Sequence, residues 1–151
     1  MSMQQNPIRI FVAHAFEPSS DYSRVFDYLE SARNFYYRNV GALEVPQNAD
    51  KEALKQELRK QINLAEVAVI PAGLYRDQQE WMDSEINCAK SFDKPVIVIE
   101  LFGVKEKLPV QLEALTDEVV GWNERDIVDA IRRQARHEDT TRWDVIEFKL
   151  D

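Results

Sequence analysis

A single cysteine, Cys88, stands in these 151 residues, so no internal disulfide can form and no cysteine-rich zinc framework exists. One unpaired thiol suits a reducing compartment. Histidine is nearly as scarce: His14 and His137 are far apart and share no ligand spacing, so no metal site is expected. Four glycines leave no room for a Gly-rich phosphate loop. Lysine and arginine number 19 against 27 acidic residues, and the net charge of −8 argues against binding a nucleic-acid backbone. A small anionic ligand would need local cations or backbone amides to overcome that field. No apolar run approaches the roughly 20 residues that span a bilayer. The stretch Met1 to Pro7 has neither a basic n-region nor an apolar h-region. The expectations are a cytoplasmic protein with no membrane and no nucleic-acid partner.

What is present is the composition of an ordinary globular domain, 44% hydrophobic and 30% charged, enough for one full core and too little for two. Ile8 to Ala13 reads as a first strand, and Ser19-Ser20-Asp21 as a cap for a helix carrying Tyr22, Val25, Phe26, Leu29 and Ala32 at helical spacing. Phe35 to Val40 suits a second strand and Gly41 to Ala49 a loop. Asp50 caps a helix with Leu54, Leu58 and Ile62 inward. Ala65 to Pro71 and Pro95 to Leu101 are apolar runs of the kind buried on both faces of a parallel sheet. Leu74 to Gln78 reads as a polar loop leading into a helix with Trp81, Met82, Glu85, Ile86 and Ala89. Val119 to Trp122 suits a last short strand, and Asn123 caps a helix through Ile127, Val128 and Ile131. Strands alternating with helices imply parallel βαβ units: a flavodoxin-like, three-layer open sheet of about five strands with helices on both faces. The spacing of Trp143, Val145, Phe148 and Leu150 allows an added strand in a C-terminal extension, 134–151, of the same domain.

Glu85 is the residue that points to chemistry. It lies in the apolar arc of its helix beside Met82, Ile86 and Ala89, one turn after Trp81. A carboxyl flanked by core positions loses hydration, which raises its pKa and keeps water from competing for its oxygens. It is either paired, with Lys90 or Arg76 as the nearest cations in sequence, or used. In open α/β sheets ligands gather at the carboxyl ends of strands, where Ala13, His14 and Phe16 leave one strand and Gly73 and Tyr75 follow another. These residues with Trp81 form the candidate binding rim. Trp81 equally suits a core aromatic, and His14 a buried, hydrogen-bonded histidine. Cys88 reads as inert and His137 as solvated. A phosphoacceptor receiver needs paired acids after the first strand, and Phe11-Val12-Ala13-His14 offers none.

Four elements in order carry a resemblance: Phe11-Val12-Ala13-His14, the segment Leu58 to Ile70, Trp81-x-x-x-Glu85-Ile86 with Ala89, and Lys94-Pro95-Val96-Ile97-Val98. Across roughly residues 8–133 the chain resembles the TIR superfamily, in particular the ThsB-type TIR-like proteins of bacterial Thoeris antiphage defence. The resemblance implies NAD+ as substrate rather than cofactor, with Glu85 as the carboxylate required for its cleavage. It also implies an ADP-ribose-derived nucleotide signal, self-association, and a downstream effector that answers to the product. His14, Phe16, Trp81, Ala13, Gly73 and Tyr75 would line the pocket. The chain departs from the family in having Ala13 where serine is usual, no basic residue between Ala13 and Asp21, and a Gly41 to Ala49 loop that is not Gly-rich. Two other readings stand beside this one: a non-catalytic TIR-like adaptor, and a nucleoside 2-deoxyribosyltransferase-like enzyme, which also sets a glutamate on such a sheet.

Overall fold

The structure, a computed structural model, describes residues 4–45, 47–104 and 106–140. Their strands are β1 (Ile8–Val12), β2 (Tyr37–Asn39), β3 (Val67–Pro71), β4 (Val96–Ile99) and β5 (Glu118–Val120). The helices are α1 (Ser20–Ser31), α2 (Lys51–Leu64), α3 (Ala72–Asp77), α4 (Gln79–Ser91), α5 (Val110–Leu115) and α6 (Glu124–Arg136). All strand pairs are parallel and their order is β2-β1-β3-β4-β5, the flavodoxin-like arrangement. The possible strand at 142–151 lies outside the described residues.

The period of two along each strand divides the core between the two faces. Ile8, Ile10, Val12, Val67, Val69, Ile97 and Ile99 pack against α1 and α6, through Val25, Leu29, Ile127 and Ile131. Phe11, Ala13, Ala68, Ile70, Val96 and Val98 pack against α2 and α4, through Leu58, Ile62, Met82, Ile86 and Ala89. Both faces of the central strands are therefore apolar, which explains why β3 and β4 read as continuous runs. The helix starts follow their caps: Ser19 Oγ accepts the Tyr22 amide at 3.1 Å, Asp50 Oδ1 the Ala53 amide at 2.8 Å, and Asn123 Oδ1 the Asp126 amide at 3.1 Å.

Two stretches differ from the sequence reading. Leu74 to Gln78 is no polar loop; residues 74–77 continue α3, which starts at Ala72 directly after β3. Leu74 and Tyr75 bury themselves in the α2–α4 core, and that burial outweighs the low helix propensity of Gly73. The sequence also gave no hint of α5, a six-residue helix with Leu112 as its buried anchor, because six residues hold too few periods to register.

At the amino end of the sheet, Glu66 joins β3 to α6 and β1. Its carboxylate accepts Arg136 Nε and Nη2 at 2.8 and 3.0 Å and the Arg9 amide at 2.9 Å. Burial pushes the Glu66 carboxyl upward, but the bonds from Arg136 and Arg9 overcome it and hold it below the usual range. Glu66→Ala removes the carboxylate from Arg136, whose guanidinium keeps its bonds to the Asn6 and Pro7 carbonyls, and chemical denaturation should show a loss of about 2–3 kcal/mol, the worth of charge-assisted hydrogen bonds. A loss no larger than that of an exposed pair would mean the network contributes only at the surface.

Candidate active site

Parallel order places the ends of β1 and β3 side by side, with β2 on the far side of β1; this is the switch point at which such sheets bind ligands. The chain leaves β1 in a tight turn. Ala13 is buried and its amide donates to the Val69 carbonyl at 2.9 Å, the last sheet bond before the turn. Then Ala15 and Phe16 both take left-handed backbone conformations, φ 52° and 57°, and the Glu17 amide closes the turn on the His14 carbonyl at 3.0 Å. Two consecutive non-glycine residues at positive φ are strained, and such conformations persist where the surroundings over-determine them.

Glu85 is one of those determinants. It points from α4 at the turn with 1% of its surface exposed. One carboxylate oxygen accepts the His14 amide at 3.2 Å and the other the Ala15 amide at 3.1 Å. Burial pushes its pKa to about 8, while the two amide bonds pull the other way. It pairs with neither cation that its sequence position suggested: Lys90 bonds Asp117 at 2.8 Å and Arg76 lies 3.7 Å from Asp77.

His14 supplies the second determinant. Its Nδ1 accepts the Phe16 amide at 2.8 Å, so in the neutral imidazole the proton sits on Nε2 and is donated to Gln61 Oε1 at 2.9 Å. Burial lowers the His14 pKa and the Gln61 bond raises it less. The ring is surrounded by aromatics: Phe11 at 5.4 Å, Phe16 at 4.9 Å and Tyr22 at 6.1 Å between centroids. Phe16 in turn meets Trp81 edge to face at 6.1 Å, and both are half-buried.

The structure thus assembles His14, Phe16, Trp81 and Glu85 into one cluster, with Ala13 at its root. Gly73 and Tyr75 are placed differently. Gly73 lines a separate cavity of about 260 Å³ with Asp21, Arg24, Arg76, Leu101 and Phe102. A Cβ at Gly73 would come within 2.4 Å of Asp21 Oδ2, so the glycine admits the Asp21–Arg24 pair. Tyr75 is buried, and burial with the nearby Asp83 carboxylate raises its pKa. Cys88, one turn beyond Glu85, is half-buried, and burial raises its thiol pKa against the pull of Arg59; it is a poor nucleophile. His137 caps α6 in a left-handed conformation and is exposed.

Gln61 and the Ala15 amide were not among the candidates read from sequence. The amide has no sequence signal. Gln61 had one: it falls at helical spacing between Leu58 and Ile62 on the inward stripe of α2, where a polar residue calls for a partner.

A family model described as Thoeris protein ThsB, TIR-like domain, matches residues 11–106. The chain belongs to the ThsB TIR-like family. The matched segment runs from Phe11 past the end of β4, so it contains the β1 turn, α2 and the Glu85 helix of this ThsB-type domain. No curated protein sequence matches the chain. Among solved structures, the CMP N-glycosidase BcmB of Clostridium botulinum is similar in fold, with a TM-score of 0.52 and 14% identity over 82% of this chain and 96% of that one. Among the described residues no helix is long and apolar enough to cross a membrane.

Proposed function

We propose that this ThsB-type domain cleaves NAD+ at the nicotinamide–ribose bond and yields an ADP-ribose-derived nucleotide signal in antiphage defence, with Glu85 as the essential carboxylate. The observation that carries the reading is the site of Glu85: a desolvated carboxyl at the carboxyl edge of the sheet, held on two backbone amides beside the Phe16–Trp81 aromatic pair. The family match and a fold neighbour described as a CMP N-glycosidase agree with chemistry at an N-glycosidic bond.

The chemistry asks little of the protein. When the bond between ribose C1′ and the nicotinamide nitrogen breaks, its electron pair neutralises the cationic ring, which leaves without needing an acid. The sugar is left as an oxocarbenium-like centre. An ionised carboxylate in a dry site stabilises that charge strongly. Water, or a hydroxyl or ring nitrogen of the product itself, then adds to C1′ and releases or cyclises ADP-ribose. The aromatic pair offers an edge and a face for a nucleobase or nicotinamide ring. NAD+ is substrate and no cofactor is required. Self-association and a downstream effector that reads the product complete the proposal.

A second reading has one observation in its favour. Glu85 is sealed and both oxygens are occupied by the β1 turn, as a purely structural residue in an adaptor would be. The test is to incubate concentrated protein with NAD+, and separately with CMP and deoxynucleosides, and to follow the products by chromatography and mass spectrometry. Glu85-dependent loss of NAD+ supports the proposal. Base exchange among deoxynucleosides without NAD+ loss would replace it with the deoxyribosyltransferase-like reading. Because the carboxylate must be ionised, turnover should rise with pH up to about 8, the value to which Glu85 is pushed. A rate independent of pH across 6–9 would remove Glu85 from the chemical step.

A further inference from the structure

Gln61 is buried to 3% exposure and makes four hydrogen bonds that tie three segments together. Its Oε1 accepts His14 Nε2–H at 2.9 Å and the Ala42 amide at 3.1 Å, while its Nε2 donates to the Ala42 carbonyl at 3.2 Å and to Glu57 Oε2 at 3.1 Å. We infer that Gln61 is a positioning residue which, through His14, holds the β1–α1 turn closed over Glu85, so that substrate reaches this carboxylate only when that clasp opens. The inference rests on the role given to Glu85 in the proposed function.

The steps are short. An acceptor at Gln61 Oε1 keeps the His14 proton on Nε2, which leaves the Nδ1 lone pair for the Phe16 amide. That bond keeps Phe16 at φ 57°, and the turn so formed aims the His14 and Ala15 amides at Glu85. With the proton on Nδ1 instead, the imidazole and the Phe16 amide would face each other donor to donor. The turn would lose a bond that offsets its strain. While it stands, both Glu85 oxygens are covered and 1% of the residue meets solvent, so no ribose can touch it. Ala42 begins the largely exposed segment after β2, so drawing that segment away breaks the same clasp.

Two variants separate this from a merely structural role. Gln61→Leu removes all four bonds at similar volume, whereas Gln61→Glu keeps acceptors for His14 Nε2–H and the Ala42 amide. Imidazole ¹⁵N spectra should show the Nε2–H tautomer of His14 in the wild type and in Gln61→Glu, and a mixture in Gln61→Leu. Hydrogen exchange at the His14, Ala15 and Phe16 amides should speed by about tenfold or more in Gln61→Leu relative to amides of β3 and β4, the factor set by one buried hydrogen bond. In the same variant, NAD+ loss per mole of protein should increase, and adding Glu85→Gln should abolish it.

An unchanged tautomer, or exchange that speeds equally across the sheet, would overturn the clasp. So would a fall in NAD+ turnover in Gln61→Leu alongside faster local exchange, since an open turn would then not admit substrate. If the spectra and exchange behave as expected but no variant consumes NAD+, the hold of Gln61 on the turn stands and the NAD+ reading fails.

Discussion

Glu85→Gln should reduce NAD+ cleavage by about a thousandfold or more while the chain keeps its secondary structure. The substitution preserves shape and removes the negative charge that faces the developing oxocarbenium centre; losing a single electrostatic stabiliser in a dry site costs about 10²–10³ in rate, and a full charge more. The fold tolerates the change because Ile86, Met82 and Ala89 anchor α4 independently of it. One local penalty is built in. A glutamine offers one acceptor where the carboxylate offers two, so the amide of His14 or of Ala15 is left facing an NH₂ group, at about 1–3 kcal/mol. Circular dichroism and product chromatography on the same preparation check both halves. A variant that folds and still turns over NAD+ at the wild-type rate would show that the buried carboxyl has only a structural task.

The second large effect is the pH dependence of stability. The folded-state pKa of Glu85, about 8, lies above its ordinary value of 4.5. Between those values the folded protein holds a proton that the unfolded chain has released. Its contribution is therefore complete below pH 4.5 and is lost as pH rises through 8. The slope is about −1.4 kcal/mol per pH unit, and the total is on the order of several kcal/mol. His14 works from the other side: its pKa is lowered from 6.5, so stability falls as pH drops below 6.5 and the unfolded chain takes up the proton first. Urea denaturation across pH 5–9 should show a falling alkaline limb in the wild type that is nearly flat in Glu85→Gln. The variant should be the less stable protein at pH 5 and should match or exceed the wild type near pH 8.5. Parallel profiles would mean that Glu85 titrates in the fold much as it does in water.

What was legible in the sequence followed from burial patterns. The runs around Val69 and Ile97 announced central parallel strands because both faces of those strands are covered, and Ser19, Asp50 and Asn123 announced helix starts because a short polar side chain bonds the first free amides. Glu85 stood out because a carboxyl on an apolar stripe has to be accounted for. Its partners were not legible. They are backbone amides 70 and 71 positions away, and a backbone amide has no letter of its own in a sequence, so the nearest cations looked like the candidates. Gly73 and Tyr75 were placed on the rim by their position after β3, but α3 turns the chain there, and the glycine answers to Asp21 instead. The Asp50 helix was legible through its inward Leu54, Leu58 and Ile62, and Gln61 on the same dry side passed unnoticed among them.

The turn at Ala15 and Phe16 bears on how such a protein can be kept in reserve. The chain has four glycines, and neither of these left-handed positions uses one. Each residue costs about 1 kcal/mol there that a glycine would not. The turn above Glu85 therefore carries strain that the strands beneath it do not share. Such a segment can be tipped by a small input, such as a contact made by a neighbouring copy or the first atoms of a ligand, without any change in the five strands beneath it. A glycine at position 15 would relieve its share of that strain, whereas at position 16 it would also remove the ring that packs on His14 and Trp81.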